Sequence, residues 1–183
     1  AKTVTAAEMK ERERAANEAG LLYIQMMENA GRAAYAELKR RVPALRRLLI
    51  VAGKGNNGGD GYAAARLWCS GGGQADVWEV TSAVRGDALT NRTLALLHGV
   101  RVLPSVDAVD VAEYAAVVDA LYGTGLNHAI EGDAAILIHR LNDHPQIPVI
   151  AVDIPSGLDG TTGRALGADV VRAAETVTFH RIK

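Results

Sequence analysis

Beyond residue 47 the chain alternates short apolar runs with helical stretches, and that alternation limits the fold more than any other feature. The runs cover residues 48–52, 75–80, 100–103, 115–120, 148–152 and 176–179. The first, Leu48-Leu49-Ile50-Val51-Ala52, has no polar residue to turn toward water. Strands of this kind, separated by helices, belong in a parallel sheet covered on both faces. Residues 60–69, 87–98 and 133–142 supply covering helices. The prediction is a three-layer α/β/α domain, Rossmann-like and doubly wound, with a mainly parallel sheet. The N-terminal forty residues read as two more helices. Thr5 and Glu8 form a capping box for the first, and Gly20 breaks it. Ile24, Met27, Ala30, Ala34 and Leu38 give the second, residues 22–41, an apolar stripe. Pro43 stops it. At 183 residues the whole chain, 1–183, reads as one domain. That length buries about 70% of the unfolded surface without a disulfide or metal staple.

Composition narrows the function. A net charge of −1 argues against a nucleic-acid wrapper or a polybasic membrane binder. Lys39, Arg40, Arg41, Arg46 and Arg47 cluster locally, and read as a solvated helix end whose cations complement the helix dipole. The single cysteine, Cys69, excludes an internal disulfide framework and suits a reducing compartment. Its place inside a helix reads as packing. No apolar run approaches the ~18 residues of a membrane span. Residues 1–14 are charged and lack an apolar signal core, so the cytosol is the expected location. His139, His144 and His180 read as surface or edge residues. The Ala- and Met-rich helix surface near Met26 and Met27 suits a homodimer face and core packing equally well.

In open parallel sheets, ligands collect beyond the carboxyl ends of the strands, where the crossover direction switches. Three strands end in informative sequence. The first is followed by Gly53-Lys54-Gly55-Asn56-Asn57-Gly58-Gly59-Asp60-Gly61. Its five glycines allow positive φ and close approach of backbone to a ligand, and amides ahead of the next helix favour an anion. Gly53-x-Gly55-x-x-Gly58 nominally matches the dinucleotide fingerprint. Alone that is weak, since a turn between strand and helix has the same use for glycine. The fourth strand runs into Asp119-Ala120-Leu121-Tyr122-Gly123-Thr124-Gly125-Leu126. An aspartate ending an apolar strand must be paired, hydrogen-bonded or bound to a cation; capping a neighbouring helix is the plainer alternative. The fifth runs into Asp153-Ile154-Pro155-Ser156-Gly157-Leu158-Asp159. Asp119 and Asp153 are therefore expected to converge at one edge of the sheet. Asn57, Asp119 and Ser156 offer only oxygen, which suits a hard cation. No Cys/His set is available for zinc or a thiol nucleophile, and Ser156 is not in a nucleophile elbow.

Together these three motifs resemble the NAD(P)H-hydrate epimerase family, also called the YjeF N-terminal domain. The likeness extends to Arg12-Glu13, Met27-Glu28-Asn29-Ala30-Gly31, Thr162-Gly163 and residues 173–179, and so covers nearly the whole chain. It implies an isomerase that interconverts the R and S forms of hydrated NADH and NADPH, in repair of nicotinamide nucleotides. A separate ATP- or ADP-dependent dehydratase then acts on the S form. By the family's pattern Asn56, Asn57, Gly58, Gly59 and Asp60 bind the hydrated dinucleotide, as do Gly123, Thr124, Gly125, Leu126, Asn127, His128 and Ala129. Asp153 contacts the substrate and is the expected general acid/base. Asn57, Asp119 and Ser156 hold one potassium ion per subunit. The chain departs from the pattern twice. His128 stands where the family often has arginine, and the family usually continues past Lys183 with a Pro-Gly segment and a last strand. The early end suits one half of a fused epimerase–dehydratase, or a trimmed chain.

Two rivals remain at this point. One is a non-catalytic nucleotide- or protein-binding module on the same scaffold, which would have no need of both aspartates with Asn57 and Ser156. The other is a nicotinamide-dependent oxidoreductase, which wants an acidic residue at the end of the second strand to meet the ribose. Val80, Thr81 and Ser82 stand there instead, and Glu79 alone keeps that idea open.

Overall fold

The computed structural model describes residues 4–42 and 44–179; Pro43 and His180 lie outside them. The elements are α1 (Ala6–Glu18), α2 (Tyr23–Arg41), β1 (Arg47–Ala52), α3 (Asn56–Ser70), β2 (Gln74–Glu79), α4 (Gly86–Leu97), β3 (Arg101–Val102), β4 (Ala116–Ala120), α5 (Gly132–Asn142), β5 (Val149–Val152) and β6 (Glu175–Val177). All six strands join one sheet in the order β3-β2-β1-β4-β5-β6, and every pairing is parallel. This is the doubly wound α/β architecture that the apolar runs predict.

The continuous apolar runs follow from burial on both faces. Leu48, Ile50 and Ala52 of β1 join a cluster with Leu38 of α2 and Tyr62 and Trp68 of α3. The intervening Leu49 and Val51 join another with Leu137, Ile138 and Leu141 of α5. Alternate side chains of a strand point to opposite faces, so a strand covered on both sides has no polar position to spare.

Thr5 caps α1 through its hydroxyl, and Glu8 reaches back to the Thr5 amide at 2.8 Å, as the capping box predicts. Along α1 only Met9 is buried. Met26 and Met27 are buried within the chain, so packing of this subunit accounts for them. The basic cluster is more tightly held than a solvated helix end: Arg40 and Arg41 both reach Glu37 and, on β6, Glu175. Arg47 meets buried Asp76 at 3.1 Å. No helix among the described residues is long and apolar enough to cross a membrane.

Candidate functional site

Sheet order reverses at β1, whose two neighbours β2 and β4 come from opposite windings. Ligand crevices form at such points. Here the Gly53 amide donates to the Ala120 carbonyl at 3.0 Å, fastening the first glycine-rich segment to the end of β4. Helix α3 then starts at Asn56, not near residue 60. Asn56 through Asp60 are thus the start of the helix and not a loop before it; the first amides, from Asn56 to Gly58, have no carbonyl one turn earlier in the helix to bond, whereas the Gly59 amide already donates to the Gly55 carbonyl at 3.2 Å.

All of these glycines but Gly55 serve packing, and none of the five adopts the expected positive φ. A Cβ on Gly58 would lie 2.0 Å from the Gly53 carbonyl oxygen, and one on Gly61 2.5 Å from the Ala120 Cβ. On Gly59 it would meet the Met27 sulfur at 2.4 Å. These glycines let α3 settle directly on β1, β4 and α2.

Asp119 and Ser156 are fully buried and bonded to each other. The Ser156 hydroxyl donates to Asp119 Oδ1 at 2.6 Å and the Ser156 amide to Oδ2 at 2.8 Å. The Leu121 amide adds a third donor at 3.3 Å. Despite these donors, burial pushes the Asp119 carboxyl up to about 6. The Tyr122 amide donates to the Ser156 hydroxyl at 2.9 Å, tying the segment after β4 to the one after β5.

Asp153, immediately after β5, has φ +75°, a left-handed conformation uncommon for a residue with a Cβ. Backbone strain of this kind gathers at functional sites. Its Oδ2 accepts from the Thr124 amide at 3.1 Å. Next to it, both amide atoms of Asn57 are buried and have no hydrogen-bond partner among the described residues. A Cβ on Gly123 would sit 2.7 Å from Asp153 Oδ2 and 3.5 Å from Asn57 Oδ1, so these three residues share one small space.

A hollow of about 660 Å³ opens there. Of the predicted residues, Asn56, Asn57, Asp60, Gly123, Thr124, Gly125, Leu126, His128 and Asp153 line it. Gly58 and Gly59 are buried in the packing of α3. Asn127 is exposed and off the wall, and Ala129 packs against Gly167. Asp119 and Ser156 lie behind the wall, reached through Tyr122. Among the described residues no group of three His, Cys, Asp or Glu side chains is placed to hold a metal; an oxygen-only set with Asn57 and Ser156 is a different case.

The family described as "YjeF-related protein N-terminus" matches residues 23–183. The chain belongs to that family. An NAD(P)H-hydrate epimerase of Weissella koreensis is 36% identical over 96% of this chain and 79% of its own length. One of Pirellula staleyi is 38% identical over 90% of the chain and 75% of its own length. The bifunctional NAD(P)H-hydrate repair enzyme Nnr of Thermanaerovibrio acidaminovorans is 38% identical over 93% of the chain, which spans only 34% of that longer protein. The crystal structure of yeast ynu0 superposes with a TM-score of 0.82 over 97% of this chain and 80% of its own, at 20% identity. That last likeness concerns the fold.

Within this YjeF N-terminal domain, Glu79 does end β2, contrary to the reading that the strand runs on to Val80. Its carboxylate is nonetheless committed. Arg92 engages both oxygens at 2.7 Å, and the Tyr62 hydroxyl donates to one at 2.6 Å. A ribose hydroxyl would have to displace a bidentate ion pair, so the position is structural and the oxidoreductase reading loses its last support.

Sequence reasoning missed the part that α1 takes in the site. Met9, Lys10 and Glu13 of α1 line the hollow beside Lys54, Tyr122 and Phe179. Nothing in the spacing of α1 says which end of the sheet it crosses; only its capping box was legible.

Gly123→Ala isolates the Asp153 geometry. The added methyl collides with a side-chain carboxylate, not with backbone. Turnover is expected to fall by up to about 100-fold, the scale of a misplaced reacting group, with little change in melting temperature. Steady-state kinetics beside thermal denaturation check this; wild-type kcat would mean that the carboxylate's position is unimportant.

Proposed function

We propose that this domain epimerises the R and S forms of hydrated NADH and NADPH at C6 of the nicotinamide ring. The observation that carries the reading is Asp153, held in a left-handed conformation at the end of β5 with its carboxylate against Gly123 and Thr124 inside the hollow. The epimerases at 36% and 38% identity support it, and so does the residue set quoted for the family resemblance.

Epimerisation needs the C6–O bond to break with its electron pair on oxygen, while the ring nitrogen's lone pair leaves a planar iminium. Asp153 in its acid form protonates the departing oxygen. Water then adds to the opposite face and releases a proton to solvent, from which Asp153 is reprotonated. The amides of Asn56, Asn57 and Gly58 favour the substrate's phosphates at the head of α3.

One potassium ion per subunit is part of the proposal. Asn57, with both amide atoms buried and unbonded, and the buried Asp119–Ser156 pair fit an oxygen-liking monovalent cation at this place. Bound, such an ion would neutralise Asp119 and fix the segment after β4. Without it the carboxylate is a burden. Asp119 binds its proton more tightly folded, at about 6, than at the ordinary 3.8. The stability from that proton is present below about pH 4 and lost as pH rises through 6, amounting to about 3 kcal/mol. In potassium-free buffer the melting temperature is expected to drop between pH 4 and 6.5 and then level off, and potassium to recover much of it at pH 7.5. Equal curves with and without potassium would remove the ion from the proposal.

The repair pathway reading extends to a dehydratase as functional partner, fused or separate; the chain spans about a third of the bifunctional relatives it resembles. The direct test supplies R-hydrate of NADPH with excess S-specific dehydratase and ATP, with and without potassium. Rapid return of NADPH absorbance is the expected result. No return from folded, potassium-loaded protein would favour the non-catalytic binding module.

A further inference from the structure

Helix α1 supplies a wall to two hollows. The second, about 610 Å³, adjoins the first, and Asp153 belongs to the walls of both. Ala6, Met9, Lys10 and Glu13 line the first, and the start of the same helix brings Val4 and Glu8 to the second. Yet along residues 4–20 only Val4 and Met9 are buried. A surface helix ordinarily settles a whole apolar stripe on the body. Helix α2 does so from Met26 to Leu38, whereas α1 buries Met9 alone.

Much of what holds α1 together is internal to it. Thr5 and Glu8 cap its start, and Arg14 reaches both Glu11 and Glu18 along its own surface. Gly20, at φ +103°, closes its end: the Gly20 amide donates to the Asn17 carbonyl at 3.1 Å and the Leu21 amide to the Ala16 carbonyl at 3.0 Å. The link to α2 is short and open. A Cβ on Gly20 would meet nothing within 4 Å, and Leu21, Leu22 and Tyr23 are exposed. The Asn17 side chain accepts from the Tyr23 amide at 3.0 Å. That bond ties the far end of α1 to α2 and leaves its N-terminal half, the half over Asp153, as the part that can lift.

We propose that α1 is a lid on the site: it pivots about residues 19–22, with Met9 as its latch, to admit the dinucleotide, and then closes beside Asp153. The inference rests on the epimerase reading and adds how the substrate enters and is kept. A methionine suits a latch that must release, since its flexible thioether fills an irregular gap without a unique fit. Its burial favours the shut state and is given up each time the lid opens. Closed, α1 holds the ring beside Asp153 while the C6–O bond breaks and re-forms; open, it lets the product leave.

Hydrogen exchange of the wild-type chain, with and without saturating NADPH, tests this; NADPH is the substrate less its added water. In the free protein the amides of α1 are expected to exchange faster than those of α3 and β4, because lifting one lightly held helix takes less free energy than opening the core. NADPH should slow them. Met9→Ala should speed exchange in α1 by about tenfold, the factor that loss of one buried side chain can bring, and leave α3 and β4 as they were. Exchange of α1 in step with α3 would make it a fixed part of the core and overturn the lid. So would fast exchange that NADPH does not slow. Equal acceleration of α1, α3 and β4 in Met9→Ala would mean that Met9 supports the whole fold, and would overturn it too. Slowing of α1 by NADPH, in protein that returns no NADPH in the coupled assay, would sink the epimerase reading and leave the lid standing.

Discussion

Asp153→Asn is expected to lower turnover of the hydrate by about 10²–10⁴-fold, the contribution of a positioned acid/base group, with dinucleotide binding kept within a few-fold. The structure makes asparagine the informative replacement. At φ +75° most side chains are strained, but asparagine, like aspartate, is among the few non-glycine residues enriched in the left-handed region. Its amide oxygen can still accept from the Thr124 amide, which now reaches Asp153 Oδ2 at 3.1 Å. Fold, packing against Gly123 and the link between the segments after β4 and β5 should survive, so lost activity would report lost proton transfer. Alanine would confuse the result, because it removes the acceptor and leaves the strained backbone uncompensated. Single-turnover kinetics with a separate binding titration decide it. Turnover per bound substrate preserved in Asp153→Asn would remove the residue from the chemistry and leave it a binding role.

The layers of this fold were legible because periodicity is a local signal. Leu48 to Ala52 could not face water on either side, and they do not. Strand-end positions of Asp119 and Asp153 were legible for the same reason, as the first polar residues after apolar runs. What remained hidden depends on contacts between distant segments. The glycines of residues 53–61 suggested a turn with positive φ, yet Gly58 and Gly61 are set by the Gly53 carbonyl and by Ala120 of another strand. The commitment of Glu79 needed Arg92 and Tyr62, on two different helices. The path of α1 across the site left no mark in its own sequence.

Gly58→Ala should destabilise the domain by about 3 kcal/mol, at the upper end for overpacking, lowering the melting temperature by roughly 6–12 °C for a chain of this size. The new methyl would stand 2.0 Å from the Gly53 carbonyl oxygen and 2.9 Å from its carbon. Both are backbone atoms, and Gly53 is fastened to Ala120 by its own amide, so no rotamer change can relieve the clash. Helix α3 must lift at its first turn, carrying Asn56, Asn57 and Asp60 with it. Gly55→Ala provides the contrast from the same segment. It has nothing within 4 Å and an extended backbone with φ −95°, so only the small N-cap preference for glycine over alanine is lost, under about 1 kcal/mol. Were flexibility the reason for these glycines, the two substitutions would cost alike. If contact is the reason, Gly58→Ala alone collapses stability, and activity with it, while Gly55→Ala keeps both. Denaturant melts of the two variants side by side separate the cases, and similar midpoints would mean that the close seating of α3 on β1 does not determine where the site's amides point.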